Sequence, residues 1–321
     1  MTAPHLLLTG LGLSLASLGP SLQEPEPNED LAPPPRAVEL DGDFARIPFT
    51  LDGGRPVPLV EAMVNGQGPF KFFYDTGASA CVLDSAFVEE LGIEVLGPTT
   101  VGDHTASARI PAQEVEMESL ELEGVSFEGI PAVAFDRSQL RGAEVRGVLG
   151  LPLFHQHLLT IDYDKGVLSI TKDLLPEKGP GIVPYGGAVL PEILIQVGEE
   201  ELSCHIDSGS PTGLMLATAV AERLPHKTEP ILVGKARTVN SVLEIWSVQL
   251  DATVVIAGNE LVDPVVGYNE MLPNALIGYQ VLKDLVVSID QRSKRVRLLP
   301  PKPAEPPAEP AERGPSGAGQ D

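Results

Sequence analysis

Basic residues are scarce in this chain: 22 lysines and arginines stand against 45 aspartates and glutamates in 321 residues, a formal charge of -23. A surface of that sign repels a phosphate backbone and an anionic membrane face, so nucleic acid is excluded as a partner. The acidity itself reads as ordinary solvation. Cysteine is scarcer still, with Cys81 and Cys204 alone. That is too few for a disulfide framework, and the spacing is unlike a zinc motif, which leaves two small buried thiols as the plainer reading. A bridge between them would require Cα atoms within about 7 Å. Long apolar runs are also missing, and nothing approaches the roughly 20 residues of a bilayer span, so no transmembrane anchor is expected. The apolar stretch Leu6 to Leu18, with the small-residue site Ser14-Leu15-Ala16, reads instead as an export signal over residues 1–19, although no lysine or arginine precedes Arg36. No cysteine lies near the start to take a lipid. A soluble exported protein, periplasmic or extracellular, is the expectation.

Metal and serine chemistry lack their parts. His155-Gln156-His157 and His205-Ile206-Asp207 look like fragments of a metal site, but no third or fourth ligand accompanies them, so no metal or cofactor is expected. "GASAC" and "GSPTG" each miss the Gly-x-Ser-x-Gly elbow, and neither lies between a long buried strand and a helix with a histidine partner.

What is present is a β pattern. Runs rich in Val, Ile, Leu and Phe, such as "VPLVEAMV", "LSCHID", "LLTIDYDKGVLSI" and "DATVVIAG", alternate with Gly, Pro and Asp punctuation. Brief helices are expected at "DSAFVEELG" and "LATAVAERLP". An all-β chain, mainly antiparallel with short helices, follows. Residues 20–40 and 300–321 are rich in Pro, Glu and Ala, and cannot bury enough apolar surface to offset ordering entropy, so both are expected to be flexible. A Pro/Gly cluster at 174–187 divides the remainder into 41–173 and 188–299.

These two parts are alike in sequence. "FFYDTGASACVL" has a twin in "LSCHIDSGSPTGLML", and "VRGVLGLPLFHQHLLTIDYDKGVLSI" one in "PNALIGYQVLKDLVVSIDQRSKRVRLL". The offsets agree: 207 minus 75 is 132, and 278 minus 150 is 128. Matching features in one order at a near-constant offset indicate an internal duplication.

The twinned residues suggest a chemistry. Two carboxylates held about 3 Å apart share a proton, because both cannot ionise together. Such a pair can act as base and acid at once, one oxygen taking a proton from water while the other acid polarises an amide carbonyl. A Thr or Ser after each Asp can donate a hydrogen bond across to the other loop, and the following Gly lets the backbone approach and supply an N–H.

At these residues the sequence resembles the retropepsin-like aspartic proteases, whose signature is hydrophobic-Asp-Thr/Ser-Gly-Ala/Ser with hydrophobic-hydrophobic-Gly downstream. Here the second element follows at 75 residues (150 minus 75) and 71 residues (278 minus 207), and the likeness covers about 45–299. The resemblance implies retropepsin-like β-barrel lobes related by a pseudo-two-fold axis. It implies Asp75 and Asp207 as catalytic residues, Thr76 and Ser208 as interlocking hydroxyls, and Gly77 and Gly209 as loop glycines. Ala78 and Ser210 follow, so only Asp207 has a hydroxyl three residues on to hydrogen-bond its outer oxygen, and Pro211 removes one loop N–H. Flap hairpins are expected at Thr99–Ile110, which lacks a tyrosine, and at Ile231–Ile245. Trp246, the sole tryptophan, is read either as a cleft residue or as a core or hairpin anchor. The implied activity is endopeptidase cleavage of an unstructured polypeptide that pairs with flap edges as an added strand. The rival is a two-lobed module that binds peptides without cutting. The short connection favours pairing within one chain, hence a monomer.

Overall fold

Period-two alternation organises most of the chain into strands. In Phe44–Pro48, Ala45 and Ile47 turn inward, and Glu192–Val197 buries Ile193, Ile195 and Val197 in the same way. The structure, a computed structural model, describes residues 32–52, 55–102, 109–136, 145–187, 190–237 and 242–301. The expected export signal, most of the 20–40 segment, the tail from 302 and the tips of both expected flaps lie outside the described residues. Among those described, no helix is long and apolar enough to cross a membrane.

The strands form three sheets. In the first, Val125–Phe135 pairs with Cys81–Asp84 on one side and with Arg109–Leu122 on the other. The sheet therefore closes on itself through Val145–Gly150, Gln67–Asp75 and Arg55–Val64, which leaves few free edges. In the second, the corresponding long strand is split into Val242–Gln249 and Thr253–Ile256. The former pairs with Val265–Asn269 and the latter with Glu192–Val197, so chain continuity rather than a ladder joins the two sides.

Both sheets contain the same local weave. Val145–Gly150 runs parallel to Gln67–Asp75 and antiparallel to Cys81–Asp84, and so inserts between the two arms of the Asp75 loop. Ala275–Ile277 inserts likewise between Glu200–Ile206 and Leu214–Ala217. Gly150 and Gly278 end these inserted strands. A Cβ on Gly150 would overlap the Ala80 carbonyl oxygen, and one on Gly278 would lie 2.6 Å from that of Thr212, which is why the sequence places glycine there.

The third sheet draws on both halves, in the order Ile182–Pro184, Arg295–Leu299, Val286–Asp290, Leu158–Asp162, Val167–Thr171 and Phe44–Pro48. At its centre Thr160 faces Ser288, residues 128 apart, with their hydroxyl oxygens 2.9 Å apart, and Leu158 faces Asp290 as Asp162 faces Val286. One apolar core threads all three sheets, including Phe72, Leu149, Ile161, Ile206, Ile277 and Ile289.

Two segments differ from the sequence reading, and the connection between the two parts takes on structure of its own. Ala37–Leu40, expected within a flexible stretch, pairs with Val125–Phe135, because the strand's free edge offers it hydrogen bonds. The Pro/Gly stretch 174–187 is tied down: Ile182–Pro184 joins Arg295–Leu299, and buried Leu175 donates its N–H to Oδ2 of Asp290 at 3.0 Å. The second helix shrinks to Thr218–Ala221, since Leu216 and Ala217 are taken by a strand. The helix Ser85–Leu91 forms as expected, with the Asp84 carboxylate accepting from the Ala86 N–H at 2.9 Å.

Candidate functional site

Asp75 is the last residue of Gln67–Asp75, and Asp207 directly follows Glu200–Ile206. Each strand delivers its carboxylate at the point where the chain turns away from the inserted strand. The two loops then grip one another through a reciprocal set of hydrogen bonds. The Thr76 N–H donates to Ser208 Oγ at 2.9 Å, and the Ser208 N–H donates to Thr76 Oγ1 at 2.9 Å. The Thr76 hydroxyl donates in turn to the Ile206 carbonyl at 2.8 Å, and that of Ser208 to the Tyr74 carbonyl at 3.4 Å. Both Thr76 and Ser208 are wholly buried. In that setting a lost partner strands a polar group away from water.

The grip brings the carboxylates together. Gly77 N–H donates to Asp75 Oδ1 at 2.7 Å, while the Gly209 N–H is shared between Asp207 Oδ1 at 2.9 Å and Asp75 Oδ1 at 3.2 Å. The glycines are required by space. A Cβ on Gly77 would lie 2.7 Å from the Asp207 carboxyl carbon, and one on Gly209 would overlap the Asp75 carboxylate. Asp75 and Asp207 keep intermediate exposure, so a face of each is reachable from solvent.

The electrostatics follow from this crowding. Burial and then the charge of Asp207 hold the Asp75 carboxyl well above the usual carboxylate range. Burial also raises Asp207, but a hydrogen bond from Asp75 and N–H groups of Gly209 and Ser210 oppose the rise. The pair therefore retains a proton where isolated carboxylates would have lost theirs.

The fourth loop positions behave differently from expectation. The Ser210 hydroxyl does not serve the outer oxygen of Asp207. Its Oγ lies 2.7 Å from Thr212 Oγ1, and the Ser210 backbone N–H acts on Asp207 instead. Ala78 hands its N–H to the Asp75 carbonyl at 3.3 Å and its carbonyl to Leu151 N–H at 3.0 Å, so it helps to close the loop.

Cys81 and Cys204 are buried free thiols flanking the two loops. His205 pairs with Glu192 at 3.1 Å, whereas burial and Arg292 lower the pKa values of His155 and His157. Among the described residues no three His, Cys, Asp or Glu side chains gather as metal ligands.

Sequence reasoning missed Tyr163. Its ring stands edge-on to Phe49 at 5.8 Å and to Tyr279 at 5.5 Å, and its buried hydroxyl has no hydrogen-bond partner among the described residues. Burial, then the charges of Asp207 and Asp75, raise its pKa. The one available signal was a break in the repeat: 163 plus 128 is 291, and Gln291 stands at that place.

Fold and site together define an all-β protein built around a half-buried aspartate pair on glycine-lined loops. Comparison with known families adds that residues 60–153, which carry the Asp75 loop and Gly150, match the family described as aspartyl protease, of retropepsin-like type. The match supports a protease function. No curated protein matches the chain.

Proposed function

We propose that the chain is an aspartic-type endopeptidase in which Asp75 and Asp207 form the catalytic dyad, and that its halves are two lobes of a duplicated unit meeting at this dyad. The observation that carries the reading is the reciprocal Thr76/Ser208 grip, which holds two carboxylates around the Gly209 N–H that they share. In the proposed step a water lies between the carboxylates and the scissile amide of an extended polypeptide. Asp207, ionised, takes a proton from the water as its oxygen attacks the carbonyl carbon, and protonated Asp75 donates to the carbonyl oxygen. The tetrahedral diol then collapses: a carboxyl proton passes to the amide nitrogen, the C–N bond breaks, and the other carboxylate receives the diol proton. Acid and amine products leave, with one proton again on the dyad.

Because both aspartates belong to one chain, a monomer suffices. Export is part of the proposal too, and rests on the composition of residues 1–19 alone. The test is cleavage of an unfolded protein mixture by the full chain from pH 3 to 8, beside Asp75→Asn and Asp207→Asn. Cleavage that vanishes in either variant supports one shared dyad. Cleavage that survives either substitution, or a folded protein inactive throughout that range, overturns the reading.

A further inference from the structure

The second sheet carries a concavity of about 630 Å³ that plays no part in the proposed hydrolysis. It lies at the end of Leu214–Ala217 remote from the Asp207 loop, where that strand gives way to the helix Thr218–Ala221. Two aromatic residues line it: Trp246 and Tyr268 stand directly opposite one another in the antiparallel pair Val242–Gln249 and Val265–Asn269. Its wall is anionic, formed by Glu222, Glu244 and Glu270. Glu244 shares Lys235 at 3.2 Å, while Glu222 and Glu270 have no ion-pair partner among the described residues.

Two further groups add hydrogen-bonding capacity to the lining. Asn269 is 5% exposed, and its Oδ1 is fixed by the N–H groups of Met271 and Leu272 at 2.9 and 3.1 Å. With Oδ1 so occupied, the amide NH2 makes no hydrogen bond among the described residues, in a side chain that lines the hollow. Tyr268, 6% exposed, likewise lines it, and its hydroxyl has no hydrogen-bond partner among the described residues. Two aromatic rings, exposed carboxylates and open polar groups match a cationic side chain on a peptide: the rings offer the cation a π contact, the carboxylates pair with it, and the amide meets a backbone carbonyl.

We propose that this concavity is an exosite for an arginine or lysine side chain of the polypeptide substrate. The inference rests on the endopeptidase reading for the word substrate, not for the binding. The strongly acidic chain adds long-range attraction for such a segment.

Trp246 is the only tryptophan, so intrinsic fluorescence reports on this hollow directly. The full chain is titrated with N-acetyl-arginine amide and with N-acetyl-citrulline amide, which has nearly the same shape but no charge. A saturable change with arginine, half-complete on the order of millimolar, is expected for one such contact set. Citrulline, or the exposed double variant Glu222→Gln/Glu270→Gln checked for an unchanged melting curve, is expected to weaken binding by about tenfold, given two charge pairs. Equal response to both probes, or no effect of the double variant, overturns the site.

A second arm compares kcat/KM for two peptides differing by one arginine outside the scissile bond. The arginine advantage is expected to disappear in the double variant while cleavage of the arginine-free peptide is unchanged; an advantage that persists overturns the substrate role. If neither peptide is cut, the protease reading fails while the fluorescence result still decides the site.

Discussion

Replacing Thr76 by valine keeps the shape of the side chain and deletes its hydroxyl, and the structure specifies what is lost. Oγ1 accepts from Ser208 N–H and donates to the Ile206 carbonyl, both within 3 Å and both on residues at most 1% exposed. Stranding two buried polar groups costs about 1–3 kcal/mol each, so about 2–6 kcal/mol together. That is a large share of the roughly 5–15 kcal/mol by which domains are stable. Ser208→Ala strands chiefly the Thr76 N–H, because the other bond of that hydroxyl, to the Tyr74 carbonyl, is long at 3.4 Å. Its cost is about 1–3 kcal/mol. Thr76→Ser keeps the hydroxyl and loses one methyl, about 1 kcal/mol. Urea unfolding of the full chain, with midpoints compared at unchanged slope, should therefore rank Thr76→Val below Ser208→Ala and Ser208→Ala below Thr76→Ser. A Thr76→Val protein no less stable than Thr76→Ser would refute the view that the interlocked hydroxyls hold the loops together.

Alanine at Gly209 places a Cβ on the Asp75 carboxylate, whereas alanine at Gly77 comes only to 2.7 Å of the Asp207 carboxyl carbon, so Gly209→Ala should lower kcat at least as far as Gly77→Ala. Stopped-time peptide assays check the order. The pH profile of kcat/KM should keep its alkaline limb above the ordinary carboxylate range near about pH 4, since the pair's proton is held by burial and by the neighbouring charge; a limb at or below that range contradicts the assigned cause. Asp290 is held below its usual value because hydrogen bonds from Ser293 and Leu175 outweigh burial. Its stabilising contribution is present above the unfolded-state pKa of about 3.9 and disappears as pH falls through the lower folded value, so Asp290→Asn should flatten the acid end of a melting-temperature series.

The loops were legible in the sequence because their chemistry is local: a carboxylate ending an apolar run, a hydroxyl, then a glycine is a conspicuous order, and its recurrence made chance a poor explanation. The strands were legible through alternation, as in Glu192–Val197, and the helix at Ser85–Leu91 through its Asp84 cap. Partnerships between distant segments were not. Nothing local in Ile182–Pro184 says that it will join Arg295–Leu299, because a free edge selects its partner by position in space. The same applies to Tyr163, whose place near the aspartates depends on Phe49 and Tyr279 from opposite ends of the chain. Ser210 was misread for a smaller reason. A hydroxyl near both a carboxylate and Thr212 takes the partner that the folded loop aligns, at 2.7 Å.

The proton that the two carboxylates share leads to a prediction about stability. A carboxyl whose folded pKa is raised favours the folded state fully below its unfolded-state value and loses that contribution as pH rises through the folded value. At neutral pH the Asp75/Asp207 pair is therefore a source of strain, since burial and the neighbouring charge oppose a second ionisation, and in the roles proposed for the reaction Asp75 holds the remaining proton. Asparagine at 75 would keep an oxygen to accept from Gly77 and Gly209 and would offer its NH2 to Asp207, reproducing the protonated acid without the penalty. Asparagine at 207 would replace the carboxylate that Gly209 and Ser210 already support. At pH 7 Asp75→Asn should accordingly melt higher than the native chain and higher than Asp207→Asn, and at pH 3 the gain should vanish because the native Asp75 is then protonated in both states. Calorimetry at the two pH values decides it. A gain at pH 7 that is larger for Asp207→Asn would mean that the shared proton resides on the other carboxylate, and would exchange the acid and base roles proposed for the reaction.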